Sequence, residues 1–143
     1  MKKLLLIVLL TPFLLSLNGC KNDSKRLIGT WVRTKTITSF NEIIMEEEQR
    51  IFKNSNYEFK ENGKLVYNYE YESGGRIMIN PHNGEWTLEK SDSDGYPFIL
   101  KLRIEQDHGT HIKEIKNKLK FISETEFEMV DQEYKSKGFY SKK

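Results

Sequence analysis

Three tyrosines at alternate positions, Tyr67, Tyr69 and Tyr71, leave one face of any strand that carries them, with Asn68 and Glu70 on the other. A phenol is apolar in body and polar at its tip, so buried ones need partners for their hydroxyls. Such a row fits a cavity mouth or partner-facing patch, or else a half-exposed outer stripe. Asp107, His108 and His111 offer three potential metal ligands within five residues. Zinc, however, is held by three or four ligands on a rigid frame with a supporting shell. Here a glycine-bearing turn carries them, no cysteine is near and His82 is remote, so they read as solvated turn residues. Nucleophilic catalysis has no support, because there is no Gly-X-Ser-X-Gly elbow and no histidine with an evident orienting partner. Gly74-Gly75 is not followed by a helix and makes no phosphate loop. Glu46-Glu47-Glu48 reads as solvated charge, with a cation or basic partner as the alternative. These residues predict a binding protein with no cofactor and no metal, not an enzyme.

The elements that must hold them are strands. Phe98, Leu100, Leu102 and Ile104 share one face of Phe98–Glu105, with Lys101, Arg103 and Glu105 on the other, the period-two pattern of a half-buried strand. Tyr57–Lys60 and Leu65–Tyr71 flank Glu61-Asn62-Gly63-Lys64, a strong hairpin signal. Leu119–Ile122 and Glu126–Met129 form a second hairpin across Ser123-Glu124-Thr125. Further strands are expected at Thr30–Thr38, Ile43–Phe52, Arg76–Ile79, Glu85–Lys90, His111–Lys116 and Gly138–Tyr140. Glu46-Glu47-Glu48-Gln49 inside the second of these also suits a helical turn. Turn clusters separate them, among them Asn80-Pro81-His82-Asn83-Gly84 and Ser91 to Pro97. Eight to ten short strands at this spacing predict an all-β, antiparallel up-and-down barrel or sandwich. Trp31, Phe59, Trp86, Phe98, Leu100, Leu102, Phe121 and Phe127 are expected inside.

The N-terminus reads as an address. Lys2 and Lys3 precede an apolar run from Leu4 to Leu17, 14 residues long. As a helix that run covers about 21 Å, short of the ~30 Å hydrocarbon core, and Pro12 weakens it further. A basic start, a run of this length and a small residue at its end make a secretory signal. Without Lys2 and Lys3, the 23 Lys and Arg fall to 21, against 21 Asp and Glu. A neutral chain without basic runs lacks the positive stripe that nucleic-acid binding requires.

Leu17-Asn18-Gly19-Cys20 resembles the bacterial lipobox. The resemblance implies cleavage after Gly19, a diacylglycerol thioether on Cys20 and acylation, palmitate included, of the new amino terminus. Residues 1–19 are then a lipoprotein signal peptide, 20–26 an acylated tether of at most about 20 Å, and 27–143 the folded domain. The membrane is a partner through the lipid on Cys20. One acyl chain holds only reversibly, whereas two or more hold stably. Lys21, in place of Asp, fits forwarding to the outer membrane of the cell envelope, with the leaflet left open. Cys20 is the only cysteine, so the mature chain has no internal disulfide and its stability must come from burial.

Leu27-Ile28-Gly29-Thr30-Trp31 is similar to the Gly-X-Trp motif of lipocalins and wider calycins. The Phe59, Asn62-Gly63, Leu65 hairpin, Gly84-Glu85-Trp86-Thr87-Leu88 and Leu119-X-Phe121-Ile122-Ser123-X-Thr125-X-Phe127 resemble the small lipocalin-like lipoproteins of Bacteroidota. The resemblance spans roughly 27–131. It implies a lipocalin-like barrel in which the tryptophan closes the floor and inward aromatics meet any ligand. The ligand-facing candidates are Trp31, Tyr57, Phe59, Tyr67, Tyr69, Trp86 and Phe98. The function implied is capture of a small apolar or amphipathic molecule in the envelope. The alternative is a protein-binding module, such as a toxin inhibitor or immunity lipoprotein or an accessory subunit of an envelope complex.

Overall fold

A computed structural model describes residues 23–38, 43–45, 56–133 and 135–143. The leader, Cys20, the acidic run at 46–48 and the rest of the strand expected to reach Phe52 lie outside these residues. A helical turn over 23–27 comes first. Among the described residues nine strands follow: β1 (Gly29–Ile37), β2 (Ile43–Met45), β3 (Asn56–Phe59), β4 (Lys64–Ser73), β5 (Arg76–Ser93), β6 (Tyr96–Gln106), β7 (His111–Phe121), β8 (Glu126–Asp131) and β9 (Lys137–Lys142). All neighbouring pairs are antiparallel, and β1 pairs with β9 from Trp31 opposite Lys142 to Ile37 opposite Lys137. That pairing closes β1 and β3 through β9 into an eight-stranded barrel. β2 lies on the upper part of β1, at Lys35–Ile37, beyond the stretch that β3 takes at Gly29–Val32.

Alternation builds the wall as the sequence predicts. On β6, Phe98, Leu100, Leu102 and Ile104 are buried. The outward Lys101 pairs with Glu89 at 2.6 Å, and Arg103 meets Glu85 and Glu114, each at 3.3 Å. Exposed pairs of this kind contribute little to stability; the interior carries it. Between β3 and β4, Gly63 N donates to Lys60 O and its own carbonyl accepts from Trp86 N at 2.9 Å, while Trp86 Nε1 donates to Lys60 O at 3.1 Å. The hairpin is thereby tied to β5.

The lower end is packed solid around Leu27, Trp31, Phe59, Leu65, Leu100, Leu102, Leu119 and Phe127, each 1% exposed or less. Trp31 Nε1 donates to Leu27 O at 2.6 Å, and its ring lies 4.7 Å from that of Phe127. Gly29 (φ 124°) turns the chain from the helical turn into β1, in a conformation that favours glycine. Arg26 caps the same end, 4.1 Å over the Phe121 ring and 3.2 Å from Glu124.

Two expectations need correction. Asn80 to Gly84 is not a turn between two strands: β5 runs unbroken through it. Pro81 is tolerated because β5 pairs with β6 only from Gly84 onward, so at Pro81 it has one neighbour, β4, where Asn68 is its opposite. Gly84 serves close approach, since a β-carbon there would overlap the Arg103 carbonyl oxygen. Likewise His111–Lys116 and Leu119–Ile122 are one strand, β7.

β4 and β5 outgrow the barrel. Their pairing continues to Ser73 opposite Arg76, whereas β3 leaves β4 at Asn68 and β6 leaves β5 at Gly84. Among the described residues the excess, 69–73 with 76–80, is a two-stranded ribbon of five residue pairs, about 17 Å long.

Candidate functional site

The upper half of the barrel is open. Above the packed floor lies a cavity of about 670 Å³ whose wall receives residues from β1 and from β3 to β9. Each strand contributes alternate residues: Tyr67, Tyr69 and Tyr71 from β4, Asn80 and His82 from β5, Ile104 and Gln106 from β6, Lys113, Ile115 and Asn117 from β7, and Met129 and Asp131 from β8. On β1 the alternation is shifted by a bulge. Tyr140 faces Arg33 and Phe139 faces Lys35, so Thr34 is the extra residue, and its hydroxyl donates to Phe139 O at 3.2 Å. The bulge brings Arg33 and Thr36, not Lys35, to the cavity.

One side of the cup is aromatic. Tyr57 and Tyr67 stack with centroids 4.7 Å apart at 20°, His82 lies 6.3 Å from Tyr67 at 25°, and Tyr69 and Tyr71 stack at 6.4 Å and 11°. His82 Nδ1 is 3.0 Å from the Glu105 carbonyl oxygen, which can only accept, so that nitrogen carries the proton. Tyr57 is half-buried against the core: burial, and then the neighbouring phenols of Tyr140 and Tyr67, push its hydroxyl well above the usual tyrosine range, against the pull of Arg33. It therefore stays a neutral donor at physiological pH.

The facing wall mixes aliphatic and polar groups. β7 lies four places round the eight-strand ring from β3, and β8 four from β4. Asn117 is 2% exposed; its amide nitrogen donates to Met129 Sδ at 3.3 Å, and its Oδ1 has no partner among the described residues. Lys113 pairs with Glu133 at 3.5 Å at the rim. The cup is thus amphipathic, with mutually stacked rings on one wall and aliphatic and polar side chains on the other.

The structure divides the aromatic candidates. Tyr57, Tyr67 and Tyr69 line the cavity, whereas Trp31, Phe59, Trp86 and Phe98 stand below it in the packed core. Cys20 lies outside the described residues. Asp107-His108-Gly109 forms an exposed 3-10 turn before His111, and among the described residues no three His, Cys, Asp or Glu are grouped to hold a metal. Sequence reasoning missed Arg33, Lys113, Asn117 and Asp131. Extending the β7 alternation back from Leu119 would have found two of them.

No family model and no curated protein matches this sequence. Among solved structures, it is similar to a lipocalin-like protein from Bacteroides uniformis ATCC 8492, with a TM-score of 0.58 at 11% identity, covering 82% of this chain and 99% of the other. A closed antiparallel barrel with a filled floor and an open cup, superposing on that protein along nearly all its length, gives this chain a lipocalin-like fold.

Proposed function

We propose that this chain is a lipid-anchored envelope protein that holds a small apolar or amphipathic molecule in its cup. The observation that carries the binding role is the cavity of about 670 Å³, inside the ~300–1,000 Å³ typical of small-molecule sites. A barrel of eight strands is just wide enough to be filled by its side chains or to hold one small ligand. This one is filled below and open above. The lipobox-like Leu17-Asn18-Gly19-Cys20 supports the anchor. Asp23, where the helical turn begins at the floor, follows Cys20 by three residues, about 10 Å of extended chain. A lipid on Cys20 therefore holds the floor toward the bilayer, outer membrane by the Lys21 cue, and turns the cup mouth away from it.

A second reading, a protein-binding module, draws on the ribbon. Ile77, Met78 and Ile79 are 55%, 46% and 52% exposed there, an apolar tip of the kind that marks interaction sites. Native mass spectrometry of the protein extracted from its own membranes separates the two. A retained small molecule supports the cup, a co-purifying protein supports the ribbon, and a bare protein counts against both. Fractionation of Cys20→Ser tests the anchor, because the variant is expected in the soluble fraction and its retention in membranes would remove that part of the reading.

A further inference from the structure

We infer that the cup takes a neutral, polyhydroxylated ring compound, a saccharide by chemical class. The inference rests on the cup being a ligand site and narrows what that site holds.

The make-up of the wall points to this chemistry. Fourteen of the eighteen described residues that line the cup have a hydrogen-bonding side chain; only Ile104, Ile115 and Met129, on adjacent strands, are large and apolar. Arg33, Lys113 and Asp131 come from three different strands. An acyl chain filling this space would strip water from charges, amides and hydroxyls without replacing its hydrogen bonds, which is costly for polar groups and most of all for charged ones. A ligand with a hydroxyl at each corner reproduces the hydrogen bonds of the water it displaces. Arg33 and Lys113 are matched by Asp131 and by Glu133, 3.5 Å from Lys113, so the charges cancel and select no ion.

Two further features fit hydroxyl groups. The tyrosines cover one another's faces: Tyr57 stacks on Tyr67 at 4.7 Å and 20°, and Tyr69 on Tyr71 at 6.4 Å and 11°. Side chains stand roughly perpendicular to their sheet, so rings stacked in this way lead into the cup with their hydroxyl tips. Around the upper wall, Tyr69, Tyr71, Asn80, Gln106 and Ser136 make no side-chain hydrogen bond to any described residue. All five are uncharged, and each can both donate and accept. Ser136, next to β9, stands across the ring from Asn80 on β5. A sugar ring between them meets hydroxyl partners on both sides, while its C–H face rests on Ile104, Ile115 and Met129.

The test titrates the full chain calorimetrically at neutral pH, in a zwitterionic detergent that carries no sugar. The probes are cyclohexanol, which has a single hydroxyl on its ring, myo-inositol, which has one on every carbon, and the neutral disaccharides maltose, cellobiose and lactose. The tightest of the polyols is expected to bind at least about tenfold more tightly than cyclohexanol, the worth of one hydrogen bond. Tyr69→Phe, which keeps the ring and removes its tip, and Gln106→Leu should each weaken that polyol about tenfold and leave cyclohexanol within about twofold. Cyclohexanol binding as tightly as every polyol overturns the inference, as does polyol binding that both variants leave unchanged. Where no probe binds, the molecule retained by the protein from its own membranes decides. A polyhydroxylated one supports the inference, an apolar one overturns it but leaves the cup as a ligand site, and a bare protein removes the ligand reading itself.

Discussion

The Tyr140 ring lies back across Gly138, so that a β-carbon at 138 would stand 2.8 Å from Tyr140 Cε2 and 3.1 Å from its hydroxyl oxygen. The same ring stacks on Phe127 at 4.8 Å and 18° and lies 5.9 Å from Tyr57. Tyr140 therefore joins the floor to the aromatic wall, and the missing side chain at 138 is what lets it. In an ordinary strand, replacing glycine by alanine is favourable by roughly 0.5–1 kcal/mol. Here overpacking decides the sign. Gly138→Ala is expected to destabilise by about 1–3 kcal/mol, read as a lower urea midpoint, and to displace the Tyr140 ring into the cup. A midpoint at or above that of the unaltered protein would show that the ring has room to yield.

The two halves of the barrel should respond differently to truncation. Trp31 is fully buried, whereas Tyr69 is 38% exposed. Trp31→Ala should cost about 3–5 kcal/mol, the usual loss for a large buried aromatic, while Tyr69→Ala should stay within about 0.5 kcal/mol, as exposed substitutions do. Binding of the small molecule retained by the native protein should follow the opposite order, weakened by the change at 69 and retained by whatever fraction of the Trp31 variant is folded. If loss of Tyr69 leaves binding intact, the ribbon end of the tyrosine wall takes no part in it.

Outside the barrel, Glu128 is only 7% exposed and accepts from the Tyr96 hydroxyl at 2.6 Å, with Lys137 at 3.4 Å and Lys120 at 3.6 Å. Burial works against its charge, but the Tyr96 hydrogen bond and the two ammonium groups outweigh it and hold the carboxyl below the usual range. An acid whose folded value is depressed favours the fold above its unfolded value, about 4.3 for glutamate. That contribution disappears as pH falls through the folded value. Glu128→Leu should therefore destabilise at pH 7, by about 1–3 kcal/mol for the hydrogen bond that the Tyr96 hydroxyl loses to a charged acceptor. It should also flatten the acid limb of the stability curve between pH 5 and about 3. An unchanged acid limb would assign that limb to other carboxylates.

What could be read in the sequence, and what could not, follows from where information about neighbours resides. Phe98 to Ile104 alternates because one face meets the core and the other meets water, a contrast that each strand displays by itself. The Asn62-Gly63 hairpin is equally local. Pro81 is different: whether its missing N–H matters depends on how far β6 extends beside it, which its own segment does not encode. The cup is the harder case. An inner wall that meets a polar cavity carries Lys113, Asn117 and Gln106, so alternation fades where the site begins, and β7 looks like two short strands. At Thr34 a bulge exchanges inward for outward, and no residue type there announces it. The tyrosine row was legible as a face; only the closure of the barrel turns that face inward.

Tyr57 ties these energetics to the cup. Its hydroxyl is raised first by burial, then by the phenols of Tyr140 and Tyr67, with Arg33 opposing. A group whose folded value lies above its unfolded one, about 10 for tyrosine, favours the fold below that pH, and the contribution is lost as pH rises toward the folded value. The unaltered protein should therefore lose stability between about pH 9.5 and 11. Tyr57→Phe, which keeps the ring and its stack on Tyr67, should lose less over the same interval. Lysines titrate there as well, but they are common to both proteins and cancel in the difference. Absorbance near 295 nm supplies an independent reading: below the unfolding pH, the Phe variant should lack a phenol that ionises later than most of the seven tyrosines. Parallel alkaline limbs, or an unchanged late absorbance step, would mean that water reaches Tyr57 and that this part of the cup is wet.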